Sequence, residues 1–236
     1  MIKIKELRFS YPNGKEIFND LDFSLQEGEK LGLVGPNGAG KTTLFHIIMG
    51  LLRPASGYIE IFGKVRKEEK DFKEVRQRIG LLFQDSDDQL FSPTVEEDIA
   101  FGPLNLGKSR EEVRNIVRET CEILGLSGFE KRVTHRLSGG EKRLVALATV
   151  VAMRPECYLL DEPFSGLDET TTERFLEYLK ANIKTCIIIA HDREILNKTV
   201  DNICILNKSK IERLDLSKNI SKKKEKRLSV VMPRRV

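Results

Sequence analysis

Gly35-Pro36-Asn37-Gly38-Ala39-Gly40-Lys41-Thr42-Thr43 is the stretch that decides how the rest of this chain is interpreted. It fits the pattern G-x-x-x-x-G-K-[ST], with an apolar run over 31–34 before it and an apolar-periodic stretch over 44–52 after it. A strand, a glycine-rich loop and a helix in that order predict a phosphate-binding loop. The alternative is a chance match by a glycine-rich turn, and the flanking elements together with both polar residues argue against it.

Each residue type in this loop suits the binding of a nucleotide. The glycines let the backbone curl so that successive N–H groups face a phosphate, and the helix beginning near Lys41 adds its positive dipole end. Lys41 is predicted to reach the β- and γ-phosphates, and Thr42 to place its hydroxyl on Mg²⁺. The predicted ATP-binding residues of the loop are Gly35, Pro36, Asn37, Gly38, Ala39, Gly40, Lys41, Thr42 and Thr43.

The overall composition is that of an ordinary globular protein. Of the 236 residues, 40% are hydrophobic and 32% are charged, and no apolar run approaches the roughly 18 residues of a membrane span. The first residues alternate like a strand and lack the core of a signal peptide, so we expect a cytosolic chain that only a partner holds at a membrane. The four cysteines show no metal-ligand spacing, which favours buried, inert thiols.

The two ends of the chain differ in charge. Positions 207–236 contain eleven Lys/Arg and three Asp/Glu, a net +8, whereas the remaining 29 basic and 33 acidic residues give −4. We predict one domain over 1–206 and a flexible basic tail over 207–236. Binding of anionic lipid or nucleic acid by this tail is the alternative.

Strands and helices alternate along the predicted domain. Periodicity predicts strands over 2–10, 21–25, 29–34, 58–62, 78–83, 157–160, 185–190 and 202–206. A mostly helical region runs from about 95 to 153, and an amphipathic helix over 169–183 separates two later strands. This order predicts an α/β fold with a largely parallel, covered sheet, an antiparallel β part and an inserted α-helical sub-domain.

Two acidic residues follow a buried strand late in the chain. Asp161 stands at the tip of the apolar run over 157–160 and can hold Mg²⁺ through its water shell. Glu162 beside it can polarise an attacking water. An Asp-Glu pair after a strand is weak by itself, but after a phosphate-binding loop it predicts a hydrolytic site.

A second glycine pair opens another predicted helix. Ser138 fits an N-cap and Glu141 completes a capping box, which explains the serine but not Gly139 and Gly140, since glycine costs a helix interior roughly 1 kcal/mol relative to alanine. An anion-binding helix N-terminus explains all three, so Ser138, Gly139 and Gly140 are predicted to bind ATP.

Residues 137–141, placed 19 residues before Asp161, resemble the signature motif of ATP-binding-cassette (ABC) ATPases, with Glu141 where Gln is frequent. The resemblance extends in order over residues 1 to about 206 and implies a P-loop NTPase with a RecA-like core. Tyr11 resembles the aromatic residue that stacks on adenine, although packing at a strand end is the alternative. Gln84 resembles the glutamine that senses the γ-phosphate and Mg²⁺, residues 165–168 resemble the D-loop, and His191 resembles the switch histidine.

The resemblance implies that one chain provides half of each active site. ATP on the loop of one subunit is covered by the Ser138 motif of another, in a homodimer or a heterodimer with a second ABC ATPase. Catalysis is assigned to Glu162, His191, Gln84 and Lys41, and Mg²⁺ to Thr42, Gln84 and Asp161, with ATP and Mg²⁺ as the cofactors.

Residues 83–103 resemble the segment of energy-coupling-factor (ECF) ATPases that drive cobalt, nickel and vitamin uptake. Six acids and no base lie between Asp85 and Asp98, and Leu90 and Phe91 form an apolar wedge among them, which suits a basic amphipathic partner helix. The resemblance implies integral-membrane scaffold and substrate-binding subunits, with this chain peripheral at the cytoplasmic face of the cell membrane. A soluble ABC protein acting on ribosomes or nucleic acid, another transporter class and a P-loop kinase are the alternatives.

Overall fold

The computed structural model describes residues 1–215, and its first β-sheet is antiparallel. Strand β1 (Ile2–Ser10) pairs with β2 (Glu16–Leu25) and with β4 (Ser56–Ile61), and β5 (Lys64–Val65) pairs with β4. Along β1 the apolar residues are buried and are separated by exposed polar residues, with one extra exposed residue between Ile4 and Leu7. This alternation is what the sequence predicts for a sheet with one face toward the core.

The second sheet contains six strands and carries the site described below. They are β3 (Lys30–Val34), β6 (Ile79–Leu82), β7 (Cys157–Asp161), β8 (Cys186–Ile189), β9 (Asn202–Asn207) and β10 (Lys210–Asp215), in the spatial order β10-β9-β3-β8-β7-β6. All neighbours are parallel except β9 and β10. Every residue of β7 and β8 is buried, because both faces of this mostly parallel sheet are covered by other elements.

Seven α-helices surround the sheets in the described part of the chain. They are α1 (Lys41–Ile48), α2 (Glu69–Arg78), α3 (Val95–Asn105), α4 (Arg110–Leu124), α5 (Gly139–Ala152), α6 (Glu169–Asn182) and α7 (Arg193–Thr199). Helices α3, α4 and α5 lie between β6 and β7 in the chain and pack against one another. The predicted α/β class, with its antiparallel β part and inserted helical part, is therefore confirmed.

The end of the domain differs from the prediction. Strand β10 pairs with β9 over all six of its residues, so the predicted boundary after position 206 is wrong and the domain continues to at least 215. Arg213 of β10 forms an ion pair with buried Glu29, which also accepts a hydrogen bond from Asn202 Nδ2 at 3.0 Å. The rest of the predicted basic tail, 216–236, lies outside the described residues.

The apolar side chains form two clusters on opposite sides of the six-stranded sheet. One joins the helical insertion to the sheet, and the other lies between the two sheets and includes α1. The four cysteines, Cys121, Cys157, Cys186 and Cys204, are buried free thiols, as the sequence predicts. None of the helices within residues 1–215 combines the length and the apolar character needed to cross a membrane.

Candidate functional site

The phosphate-binding loop, the acidic pair and His191 all follow the carboxyl ends of neighbouring strands. The loop follows β3, Asp161 is the last residue of β7, and His191 comes two residues after β8. Because β3, β8 and β7 are adjacent and parallel, their carboxyl ends meet at one edge of the sheet, where open α/β proteins bind ligands.

One pocket of about 360 Å³ collects most of the residues that the sequence predicts for ATP and Mg²⁺. The predicted site residues that line it are Tyr11, Asn37, Gly38, Gly40, Lys41, Thr42, Thr43, Gln84, Asp161, Glu162 and His191. Gly35, Pro36 and Ala39 belong to the same loop but do not line the pocket, and neither do Ser138, Gly139 and Gly140.

The loop turns into α1 at Gly40, which has a left-handed backbone with φ of 101°. A Cβ at this position would lie 2.6 Å from Ile17 Cγ2 and 2.7 Å from Phe18 Cε1, so only glycine allows this close approach. Lys41 Nζ folds back over the loop and donates to the carbonyl oxygens of Gly35 at 2.9 Å and Pro36 at 3.2 Å. The Lys41 ammonium group therefore lies against the loop on which the phosphates are expected to bind.

Thr42 at the start of α1 and Asp161 at the end of β7, two of the three predicted metal ligands, are in direct contact. Thr42 Oγ1 donates to Asp161 Oδ2 at 2.5 Å. Burial raises the pKa of Asp161, while the Thr42 hydrogen bond and the charge of Arg143 act in the opposite direction. Mg²⁺ at nucleotide sites is usually bound by one or two protein oxygens together with phosphates and water, and the Thr42 hydroxyl and the Asp161 carboxylate are oxygens of this kind.

Glu162 lies beside His191 at the rim of the same pocket. Its carboxylate Oε1 is 3.3 Å from His191 Nε2, and burial raises its pKa, an effect that the charge of His191 opposes. A raised pKa brings a carboxylate closer to the range in which it accepts a proton from water. The backbone of Glu162 is left-handed, with φ of 51°, which is costly for a residue with a Cβ and is seen most often at functional sites.

Tyr11 connects the antiparallel sheet to the phosphate-binding loop. Its hydroxyl lies 3.1 Å from Thr43 Oγ1, and its ring packs edge-on against Phe9 with ring centroids 5.0 Å apart. These contacts fit the packing alternative for Tyr11. They leave the ring beside the phosphate-loop pocket, so stacking on adenine stays a prediction.

Lys15 is a pocket residue that the sequence analysis did not single out. It lines the pocket of the phosphate-binding loop, and its Nζ is 3.7 Å from the position that a Cβ on Gly38 would occupy. A second ammonium group thus approaches the loop from the turn between β1 and β2.

Ser138 caps α5, and Gly139 and Gly140 form the first turn of this helix. Ser138 Oγ accepts from Glu141 N at 3.3 Å, and Glu141 Oε2 accepts from Ser138 N at 2.8 Å, as the predicted capping box requires. The serine hydroxyl hydrogen is not needed for this cap and stays available to an acceptor.

The two glycines of this turn have different reasons to lack a side chain. A Cβ on Gly140 would lie 2.5 Å from Gly166 O, so close packing against the segment that resembles the D-loop explains this glycine. A Cβ on Gly139 would meet nothing within 4 Å, which leaves the helix N-terminus open. Both glycines line a separate cleft of about 790 Å³, which also contains Thr42 and Gln84.

The acids over 85–98 are less uniformly exposed than predicted. Asp98 is 2% exposed and accepts from the amides of Phe91 and Ser92 and from Thr134 Oγ1, so it has a structural role. Glu97 caps α3, Glu96 pairs with Lys131, and Asp87 pairs with Lys142 at 2.6 Å. The exposed acids Asp85 and Asp88 line the 790 Å³ cleft beside Asp87.

The predicted apolar wedge is also rearranged. Leu90 packs against the core of the helical part, whereas Phe91 is 66% exposed. The Phe91 ring stacks edge-to-face on Phe101 at 4.7 Å between centroids, and Phe101 and Leu104 are 49% and 48% exposed. Phe91, Phe101 and Leu104 are called the Phe91 patch below.

Comparison with protein families gives a match to the ABC transporter family over residues 18–165. An "Energy-coupling factor transporter ATP-binding protein EcfA" of Methanothermobacter thermautotrophicus is 43% identical over 215 residues, covering 89% of this chain and 69% of its own length. A "Putative ABC transporter ATP-binding protein" of Nitratidesulfovibrio vulgaris is 48% identical over 200 residues, covering 84% and 73%.

Solved structures give the same classification. CbiO1 from Clostridium perfringens, described as part of the ABC transporter complex CbiONQ, aligns with a TM-score of 0.79 at 31% identity over 99% of this chain and 96% of its own. The cassette MJ0796, in a dimeric post-hydrolysis state bound to ADP and Pi, aligns with a TM-score of 0.83 at 26% identity over 92% and 99%. The fold and the site thus define an ABC ATPase. The chain belongs to the ABC transporter family, as an ATP-binding subunit that resembles the ATPases of ECF importers.

Proposed function

We propose that this chain is the ATP-hydrolysing subunit of an importer of the ECF type, peripheral at the cytoplasmic face of the cell membrane. The observation that carries the proposal is the pairing, in one segment of the chain, of exposed acids that share the 790 Å³ cleft with Thr42 and Gln84 and of the exposed apolar Phe91 patch. It lies in the segment whose sequence resembles ECF ATPases, and the similarity to EcfA proteins supports the same assignment. Cobalt, nickel or vitamin uptake is the corresponding class of transport.

ATP is proposed to bind on the phosphate-binding loop of one subunit and to be covered by α5 of a second subunit. Ser138, Gly139 and Gly140 do not line the phosphate-loop pocket of their own chain, and the start of α5 is open at Gly139. Amides at a helix start, with the positive dipole end and a serine hydroxyl, suit a γ-phosphate. A homodimer with two competent sites and a heterodimer with a second ABC ATPase both fit this arrangement.

Hydrolysis is proposed to proceed by in-line attack of water on the γ-phosphate. Glu162 accepts the proton of the water, and its raised pKa suits this role. His191, 3.3 Å from Glu162, and Gln84 position the water and the γ-phosphate. Lys41 stabilises charge on the phosphates, and Thr42, Gln84 and Asp161 would hold Mg²⁺, which would supply further charge stabilisation when bound.

The membrane partner is proposed to dock a basic amphipathic helix on the surface described above. Asp85 and Asp88 attract basic side chains, and the Phe91 patch buries the apolar face of the helix. Because this surface includes Gln84, movement of the partner can be linked to the site of hydrolysis.

The test of the mechanism is Glu162→Gln. We expect this variant to bind ATP with nearly native affinity, to lose at least about 10²-fold of its turnover, and to form an ATP-dependent dimer that is measured by light scattering. The matched control is Glu122→Gln on the exposed face of α4, which should behave as the native protein. Native turnover in Glu162→Gln would contradict the assignment of the base.

A second experiment tests the membrane role. The tagged chain is produced together with the products of its neighbouring genes and purified in mild detergent. An integral-membrane partner whose presence stimulates ATP hydrolysis supports the importer. Recovery with ribosomes or nucleic acid, and stimulation of hydrolysis by them, would overturn it.

A further inference from the structure

Arg143 of α5 is a buried cation whose guanidinium contacts four backbone carbonyl groups. The residue is 4% exposed. Its Nη1 donates to Phe83 O at 2.6 Å and to Gln84 O at 3.2 Å. Its Nε donates to Glu162 O at 3.2 Å, and its Nη2 donates to Asp161 O. One side chain therefore joins α5 to the segment of Gln84 and to both acids of the site.

The four carbonyls and the charges of nearby acids compensate for the burial of the Arg143 charge. Burial lowers the pKa of Arg143, and the charges of Asp161, Glu162 and Asp85 oppose this effect. Within residues 1–215 no carboxylate lies in ion-pair contact with Arg143, so the compensation comes from the four carbonyl hydrogen bonds together with the more distant charges of the three acids. A guanidinium offers five N–H donors in one plane, whereas a lysine ammonium offers three from a single atom and does not span two separate chain segments.

Gln89 links the other backbone polar group of Phe83, its N–H, to α5. Its Oε1 accepts from Phe83 N at 3.0 Å, and its Nε2 donates to Ala146 O at 2.8 Å and to Thr149 Oγ1 at 2.7 Å. Both the N–H and the C=O of Phe83 are thus linked to α5, one through Gln89 and the other through Arg143. Hydrogen bonds through these two side chains therefore connect the backbone before Gln84 to α5, the helix that Ser138 caps.

We propose that Arg143, supported by Gln89, is a positioning residue that makes α5, the Gln84 segment and the Asp161-Glu162 backbone move as one unit. A displacement of α5 or of the acidic segment is thereby transmitted to the Glu162 carboxylate, although Arg143 contacts only its carbonyl. The proposal rests on the proposed function, because it acts through the roles assigned there to Glu162 and Gln84.

The first variant is Arg143→Lys, which keeps the charge but removes the planar set of donors. We expect kcat to fall about 10²-fold, the loss that a misplacement of about 1 Å produces, while KM and the Kd of a fluorescent ATP analogue change less than about twofold. The control is Arg118→Lys, an exposed arginine of α4, with native kcat expected. A lower Tm with unchanged kcat would show that Arg143 has a structural role only and overturn the proposal.

A second variant, Gln89→Glu, keeps the acceptor for Phe83 N and removes both donors to α5. It tests the same link without altering the buried cation, so it stays informative if Arg143→Lys does not fold. We expect kcat to fall about tenfold at unchanged Kd for ATP. Native kcat in a folded Gln89→Glu protein would contradict the link through Phe83.

A double-mutant cycle separates this proposal from the proposed function. If Arg143 acts through Glu162, adding Arg143→Lys to Glu162→Gln leaves the residual turnover unchanged within about twofold. A further loss of the full 10²-fold in the double variant would overturn the proposal while leaving Glu162 as the base. If Glu162→Gln alone keeps native turnover, the proposed function fails instead.

Discussion

Lys41 and Thr42, two polar side chains of the phosphate-binding loop, both form hydrogen bonds within the protein. Lys41 donates to two carbonyls of its own loop, and Thr42 donates to Asp161. A nucleotide that recruits these side chains has to replace those bonds with its own. The net gain in affinity is therefore smaller than the number of new contacts indicates, because each new hydrogen bond replaces an existing one.

Lys15 provides a test of the pocket that leaves these bonds intact. Its ammonium group is exposed beside Gly38, so attraction to phosphate is screened and is worth the roughly 0.2–1 kcal/mol of an exposed ion pair. We expect Lys15→Ala to raise the Kd for ATP about two- to fivefold at low salt and less at high salt, as measured by isothermal titration calorimetry. Lys5→Ala on β1 is the control, and equal effects of both variants would contradict the prediction.

The residues of the site differ in how visible they are in the sequence. Lys41, Thr42, Asp161 and Glu162 occur in local patterns, and the structure brings them to one pocket. Arg143 has no such pattern, because its partners lie 18 to 60 positions away in the chain and are backbone atoms. An arginine directly before the mostly apolar run over 144–152 is the signal in the sequence that could have pointed to it.

Strands β5 and β10 and helices α2 and α7 were missed by the sequence analysis, and β10 and α2 are the longest strand and helix among them. The β9–β10 turn places Lys208 and Ser209 in the left-handed region, with φ of 45° and 61°, where hairpin turns normally have Asn or Gly. Helix α2 is so highly charged that only Phe72 and Val75 are buried, too few for a recognisable period. In both elements tertiary contacts outweigh a weak local preference.

Glu74 of α2 binds three basic residues that surround it. Its carboxylate lies 3.0 Å from Lys64, 3.1 Å from Arg66 and 3.1 Å from Arg78, and the hydrogen bonds from Lys64 and Arg66 lower its pKa from the ordinary 4.5 to about 2. A lowered pKa contributes stability that is fully present above the ordinary value and is lost as the pH falls toward about 2.

Glu74→Gln should therefore lower the stability at pH 7, with the difference from native decreasing between pH 4.5 and about 2. Urea midpoints measured over this pH range test the expectation. The neutral replacement Glu122→Gln, on the exposed side of α4, should give no pH-dependent difference. A difference for Glu74→Gln that stays constant with pH would disprove the assignment.

Besides its pairing with β9, strand β10 is held to the domain by the ion pair of Arg213 with Glu29. Glu29 is 8% exposed, whereas Arg213 is 39% exposed, so solvent weakens the pair relative to a fully buried one. We expect Arg213→Ala to destabilise the protein by about 1–2 kcal/mol, measured as a lower urea midpoint, because the Glu29 carboxylate loses its cation. Lys210→Ala on the same strand is the control, and an equal loss there would point to the strand rather than the pair.

At the scale of the whole molecule, the nucleotide pocket and the proposed partner surface meet at Gln84. This residue lines both the phosphate-loop pocket and the 790 Å³ cleft. The helical part and the six-stranded sheet are joined there by Arg143 and Gln89. Nucleotide binding in the pocket is therefore expected to affect the partner surface, and partner binding is expected to affect the pocket.

The Phe91 patch tests the partner surface independently of catalysis. Phe91→Asp places a charge on a side chain that is 66% exposed, so folding, ATP affinity and basal hydrolysis should remain native. Copurification with the membrane partner should fall at least about tenfold, as for loss of an interface hot spot. Ile123→Asp, an exposed apolar residue of α4 at 37%, is the control, and undiminished copurification of Phe91→Asp would remove the patch from the interface.

The left-handed backbone of Glu162, with φ of 51°, has a consequence for attempts to improve this protein. Glycine adopts this conformation without the roughly 1–2 kcal/mol that a Cβ costs there, so Glu162→Gly relieves strain while removing the proposed base. A selection for heat resistance alone would therefore enrich inactive variants at this position. Libraries built from this scaffold should be screened for turnover and thermal tolerance together, since the two properties favour different residues here.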